Sequence, residues 1–238
     1  MAKERLDKLI ASTGRWSRRE VKTLVREGRV LVDGRIAGGA EEKHDAESCC
    51  IAVNGEELVL RRYTYVMLHK PAGVLSATED GRGRTVLDLL TPELRKIGVF
   101  PVGRLDKDTE GLLLLTDDGE LAHALLSPKK HVDKVYYARV SGRLTPEDCA
   151  AFEAGMTLGD GLECLPAGLE ILAAGETSEC LVTLREGKFH QVKRMLAARG
   201  KPVTYLKRLS MGSLRLDDTL APGEFRLLTA AEEAQLQR

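Results

Sequence analysis

The sequence predicts an α+β protein with a mixed, mostly antiparallel sheet, on three observations. Strand-like runs do not alternate regularly with helical ones, which argues against a doubly wound parallel fold. The pairs Asp33-Gly34 and Asn54-Gly55 sit inside alternating apolar runs and mark two-residue hairpins, the sign of antiparallel pairing. Leu112 to Leu115 has no polar face and reads as a strand buried on both sides.

The elements follow in chain order. Leu6, Leu9 and Ile10 share one helical face, which Thr13 and Gly14 break. Ser17 and Glu20 make the S-x-x-E capping box of a second helix, with Val21, Leu24 and Val25 inward and Gly28 as its stop. RVLVDGRIA and CIAVNGEELVL are the two hairpins. Leu60 to Tyr63 reads as a linker, so two domains are expected, 1–60 and 61–238. In the second, YVMLHK, the LLLL run, KVYYARVSGRL and ECLVTLRE read as strands. QVKRMLAAR reads as a helix stopped by Gly200 and Pro202.

Bulk composition narrows the function. The 238 residues can bury one good core or two modest ones, and hydrophobicity and glycine content are ordinary for a globular chain. The start is charged throughout, with no apolar signal core, and no stretch is long enough to cross a bilayer. A cytoplasmic protein without membrane contact is expected. Cys49, Cys50, Cys149, Cys164 and Cys180 lack CxxC spacing, so neither a disulfide framework nor a metal site is predicted.

Net charge is zero, but it is unevenly placed. Residues 1–35 hold ten Lys and Arg against five acids, and residues 187–208 hold seven and none. Such basic stripes suit a polyanion met on a defined face, because each phosphate contact releases counterions. In the first sixty residues the outward cations are Arg5, Lys8, Arg15, Arg18, Arg19, Lys22, Arg26 and Arg29. A helical pair with a hairpin could also serve as a protein-protein adaptor.

The chemistry concentrates in GRLDKDTEGLLLLTDDG, Gly103 to Gly119, where one acid, Asp106, sits in a Gly-opened turn directly before the most apolar run. This segment resembles the active-site motif of bacterial ribosomal RNA pseudouridine synthases. The resemblance extends through LHKPAGVLSATEDGRGRTVLDLL, SPKKHVDKVYYARV, EGKFHQVKRML and LAPGEFRLLTAAE. The first sixty residues resemble the S-four-like RNA-binding domain, which implies docking on structured RNA. The fold implied is that small domain followed by a catalytic domain with an active-site cleft across the middle of its sheet.

The resemblance implies roles residue by residue. Asp106 matches the family's catalytic aspartate, and Lys193 matches the cation that keeps it ionised. Lys134-Val135-Tyr136 matches its tyrosine motif, offering a flat ring and a hydroxyl, and alternation sends Tyr137 to the other face. Arg104 corresponds to the wedge beside a flipped nucleotide, with a plain salt bridge to Asp108 or Glu110 as the alternative. His190, Gln191 and Arg194 are candidate substrate contacts, Arg194 to phosphate. Arg5, Lys8, Arg18, Arg19, Lys22, Arg26 and Arg29 are candidate RNA contacts.

The expected reaction isomerises a uridine of ribosomal RNA, free or in a partly assembled subunit, by a monomer without metal or cofactor. FHQVKRM and LTDDGELAHALLSPKKH look closer to the small-subunit branch than to the large-subunit one. A large-subunit enzyme, a non-catalytic assembly factor, and a hydrolase using Asp106 with Asp108 are the rivals.

Overall fold

The computed structural model of the chain describes residues 3–46, 48–127 and 130–236. Pro128 and Lys129 of the SPKKH motif, Glu47, and the outermost residues of both expected domains lie outside the described residues. Two compact units emerge: residues 1–64 with 90–99, and residues 65–89 with 100–238.

Unit 1 is built as its sequence pattern dictates. Helix α1 (Leu6–Ala11) buries Leu6, Leu9 and Ile10. Helix α2 (Arg18–Arg26) carries the full capping box, with the Ser17 amide donating to Glu20 at 2.6 Å, and buries Val21, Leu24 and Val25. The short strand β1 (Glu4–Arg5) pairs with β4 (Lys43–His44). Strands β2 (Val30–Val32), β3 (Arg35–Ile36), β5 (Ile51–Val53) and β6 (Glu56–Glu57) form an antiparallel sheet in the order β3-β2-β5-β6. Both predicted hairpins are present, with positive φ at Asp33, Gly34, Asn54 and Gly55 as the tight turns require. Helix α3 (Pro92–Ile97) joins this unit from far along the chain. Gly14, at φ +73°, lets it approach, since a Cβ there would lie 2.2 Å from the Glu93 carbonyl oxygen.

Unit 2 is a nine-stranded sheet. Its strands are β7 (Tyr65–Lys70), β8 (Phe100–Pro101), β9 (Glu110–Thr116), β10 (Lys134–Ser141), β13 (Gly168–Ala173), β14 (Thr177–Leu184), β15 (Val203–Met211), β16 (Leu214–Arg215) and β17 (Phe225–Leu227). The main order is β13-β14-β10-β15-β9-β7-β17, with β8 on β9 and β16 on β15. A separate hairpin pairs β11 (Met156–Thr157) with β12 (Glu163–Cys164). Helices α4 (Gly119–Leu126), α5 (Pro146–Ala154), α6 (Gln191–Ala198) and α7 (Ala230–Leu236) complete the unit. Leu112 to Leu115 are fully buried, as the apolar run requires, and β9 lies between β15 and β7.

Every main-path pairing is antiparallel except one. Strands β9 and β15 run parallel, and their ladder spans only Glu110↔Lys207 and Arg208↔Gly111. By contrast β10 and β14 pair along eight residues. The sheet is therefore two antiparallel halves joined by a short parallel seam. Gly111 makes the seam possible: its φ is +104°, and a Cβ would lie 2.2 Å from the Arg208 carbonyl oxygen.

This seam yields a stability prediction. Gly34 has φ +76° with nothing within 4 Å of the position a Cβ would take, so Gly34→Ala is expected to lose about 1 kcal/mol from backbone strain alone. Gly111→Ala adds a collision with backbone and should lose at least about twice that. Urea unfolding midpoints measure both, and equal losses would mean that β15 moves aside freely.

Candidate active site

The loop between β8 and β9 is fixed from beneath before it presents any reactive group. Ser76 Oγ donates to the Leu105 carbonyl at 2.9 Å and accepts from its amide at 3.1 Å. The Gly73 amide donates to the Lys107 carbonyl at 2.7 Å. Lys70, fully buried, points its ammonium at the carbonyls of Pro71 (3.0 Å), Lys107 (3.2 Å) and Thr109 (2.9 Å). Burial lowers the Lys70 pKa from 10.5 to about 8, while Asp108, Asp106 and Glu110 favour its charge. The HKPAG segment thus supports the loop. His69 beside it is buried, with Nδ1 2.7 Å from the Leu220 carbonyl, an arrangement in which Nδ1 carries the proton.

Asp106 stands on this base with its side chain 24% exposed. Lys193 Nζ lies 3.0 Å from its Oδ2, and His190 Nε2 lies 3.4 Å from its Oδ1. Both partners come from the start of α6, where His190 occupies the N-cap at φ +50°. Lys193 also reaches Asp108 at 2.5 Å, but that carboxylate is 75% exposed. Burial, the largest single influence on Lys193, opposes its charge, yet the bonds to Asp108 and Asp106 leave its pKa raised. The Lys193 hydrogen bond in turn lowers the Asp108 pKa.

A cleft of about 80 Å³ opens beside the acid. Arg104, Asp106, Tyr136, His190 and Gln191 line it with the apolar walls Leu105, Leu184, Val192 and Leu206. Tyr136 is buried in this wall, while Tyr137 points to the other face and meets Tyr205 edge-on at 6.0 Å. Lys134, two residues before Tyr136, is buried and donates to the Val132 carbonyl at 3.0 Å. Its pKa is lowered, first by burial and then by Arg208. A larger cavity of about 590 Å³ lies on the opposite sheet face, among Val135, Leu181 and Leu209, and no candidate catalytic residue lines it.

The other predicted contacts divide. Arg104 is exposed at the cleft, and neither alternative salt bridge forms: Asp108 is taken by Lys193, and Glu110 accepts from the Tyr205 hydroxyl at 2.8 Å. Gln191 lines the cleft but spends its amide internally, donating to Glu186 at 2.6 Å and accepting from the Lys188 amide at 3.0 Å. Burial is the largest influence on Glu186 and pushes its pKa up, but the Leu165 amide, Lys188 and Gln191 together leave it lowered. Arg194 sits 2.5 Å from Asp160 and does not line the cleft. Sequence reasoning missed the Lys70 support, the Glu186–Gln191 bond and Phe189, although all lie inside the motifs that carry the resemblance.

In unit 1 the seven candidate RNA contacts all stay accessible, and most are held by acids. Asp7, fully buried, accepts from Arg5 at 3.0 Å and from Arg18 at 3.1 Å. The Arg5 hydrogen bond is the main cause of its lowered pKa. Lys8 pairs with Glu4, Lys22 with Glu41 and Arg29 with Glu27. Arg26 donates to the Thr23 hydroxyl, and Arg19 is exposed with no ion pair among the described residues. Among the described residues no group of three or more His, Cys, Asp or Glu is placed to hold a metal, and no helix is long and apolar enough to cross a membrane.

Comparison with known proteins adds to this geometry. Residues 64–198 match the family described as RNA pseudouridylate synthase, and residues 4–40 match the S4 domain. The chain is 50% identical, over 96% of each sequence, to an uncharacterized RNA pseudouridine synthase of Bacillus subtilis (strain 168). It is 40% identical to ribosomal small subunit pseudouridine synthase A of Vibrio cholerae, over 98% of this chain and 99% of that one. It is 39% identical to ribosomal large subunit pseudouridine synthase B of Bacillus subtilis, over 98% and 96%. A pseudouridylate synthase crystal structure is similar with a TM-score of 0.68 at 35% identity, covering 98% of this chain and 99% of that one.

The buried Lys70 sets a pH dependence. Its folded pKa, about 8, lies below the ordinary 10.5, so the unfolded chain binds more protons between those values. Its contribution to stability therefore rises with pH across that window. In an NMR titration of lysine side chains one ammonium should titrate near 8 and vanish in Lys70→Arg; uniform titration near 10.5 would contradict it.

Proposed function

The chain belongs to the RNA pseudouridylate synthase family and is an RNA pseudouridine synthase, an isomerase; from that premise we propose that it converts a uridine of small-subunit ribosomal RNA, with Asp106 as its catalytic carboxylate. The observation that carries the assignment is the Asp106 carboxylate, 3.0 Å from Lys193 and sharing one cleft with Tyr136 and Arg104. The reaction breaks the bond from ribose C1′ to uracil N1 and forms one from C1′ to C5. The C5 proton is lost and N1 gains one. Atoms and electrons balance within the substrate, so the enzyme is read as cofactor-free, working as a cytoplasmic monomer.

Each residue has a physical task. Asp106 attacks the ribose carbon or the uracil ring while the base turns. Lys193 supplies the neighbouring positive charge, and its divided bonding to Asp106 and Asp108 keeps it close without sealing Asp106 from the cleft. Tyr136 offers its ring to the base and a hydroxyl for proton movement. Extruding a base from an RNA stack costs roughly a few kcal/mol, and the exposed Arg104 guanidinium is suited to fill the gap. The resemblance of FHQVKRM to the small-subunit branch supports that target. The similar identity to a large-subunit relative keeps the large subunit as the second reading. The matched S4 segment and its exposed cations support docking on ribosomal RNA.

Three measurements examine this reading. Carbodiimide mapping of ribosomal RNA from cells with and without the gene should reveal one missing pseudouridine, in small-subunit RNA. Asp106→Asn should abolish turnover with RNA affinity intact. Asp108→Asn, which removes only an exposed ion pair, should cost less than about fivefold. Equal losses would give Asp108 a share in the chemistry and overturn Asp106 as the sole catalytic carboxylate. Replacing Arg19 and Arg26 by Ala should reduce the slope of log affinity against log salt by roughly 2; an unchanged slope would remove that face from RNA docking.

A further inference from the structure

We infer that Phe189 is a stacking platform for the RNA base next to the extruded uridine, an inference that rests on the RNA-modifying reading of the cleft. Phe189 is one of four phenylalanines in a chain with 4% aromatic content, and it is 75% exposed. A single exposed apolar residue is ordinary. This one differs in where it sits and how it is held. It lies between Lys188 and His190, both of which line the cleft, but is itself outside the lining, so it stands at the rim. Its ring stacks on the His190 ring with centroids 3.8 Å apart and planes 18° from parallel.

One ring face is thus covered and the rest is open to solvent. His190 in turn has a left-handed backbone at φ +50°, uncommon outside glycine, which places its Nε2 3.4 Å from Asp106. The result is a flat apolar surface positioned from the catalytic carboxylate outward. When a uridine leaves the stack, its neighbour loses a stacking partner, and every base has a π-face that an aromatic ring can cover. Tyr136 lies inside the cleft and serves the extruded base; Phe189 serves the neighbour outside it.

The test compares wild type, Phe189→Ala, Phe189→Leu and Phe189→Trp in single-turnover kinetics on unmodified small- and large-subunit RNA transcripts. Phe189→Ala should raise the half-saturating RNA concentration about tenfold or more, with the saturated rate within twofold and thermal stability unchanged. Trp should restore binding and Leu should not. A second readout is 2-aminopurine placed beside the target uridine in an oligonucleotide bound to Asp106→Asn protein, whose fluorescence should rise when Phe189→Ala is added. Wild-type turnover with no Phe189→Ala effect, or full rescue by Leu, overturns the platform. Absence of wild-type turnover on both transcripts and on partly assembled subunits overturns the ribosomal target instead, and a loss of RNA affinity in Phe189→Ala that Trp restores and Leu does not then decides the platform alone.

Discussion

The catalytic unit depends on one close approach, the parallel contact of β9 with β15 at Gly111 and Arg208. Two antiparallel half-sheets could pack in many ways, but a seam of two residue pairs with no Cβ at its centre fixes their register. Because β9 begins opposite the middle of β15, the chain before it leaves the sheet at the seam, as the loop bearing Asp106. The residues of α6 reach the same cleft as Leu206 on β15 and Tyr136 on β10. The acid, its cation and the tyrosine therefore meet because the sheet is joined there.

Charge is distributed around that seam in an ordered way. Lys70 satisfies its ammonium on backbone carbonyls of the loop, so it stiffens the loop without neutralising the acid above it. Lys193 faces Asp106 from the open side. Glu186 and Gln191 lock the start of α6 by a buried 2.6 Å bond, which sets where His190 and Lys193 project. A carboxylate at a water-exposed turn would be held less well, since loops carry few fixed contacts. Here the loop, the helix start and the cleft wall restrain one another.

Local signals in the sequence are legible, and contacts between distant segments are not. The Asp-Gly and Asn-Gly hairpins, the Ser17–Glu20 box and the Leu112 to Leu115 strand each depend on neighbouring residues, and each is where the pattern puts it. Strand β15, VTYLKRLSM, escapes notice because its alternation is interrupted by cations, one of which, Arg208, is buried against the Leu112 carbonyl. The place of α3 in unit 1 depends on Gly14 meeting Glu93, a contact no window reveals. The motifs bring Asp106, Tyr136 and Arg104 to one cleft and set Lys193 against the Asp106 carboxylate, but side-chain pairing redistributes the rest. Gln191 turns inward to Glu186, and Arg194 turns to Asp160. Spacing along a helix tells which face a residue occupies and says nothing of the partner waiting there.

The same logic bears on target choice. Relatives named for the small and the large ribosomal subunit resemble this chain to nearly the same degree along its whole length, so overall identity does not distinguish one target RNA from another. On the proposed reading a carboxylate, a lysine and a tyrosine act on a uridine, and every ribosomal RNA holds many. On that reading discrimination falls to surfaces that read shape over a longer span, for which the proposed ones are the cations paired with Asp7 in unit 1 and the cleft rim at Phe189. A fold arranged in this way can change its target while its chemistry stays fixed.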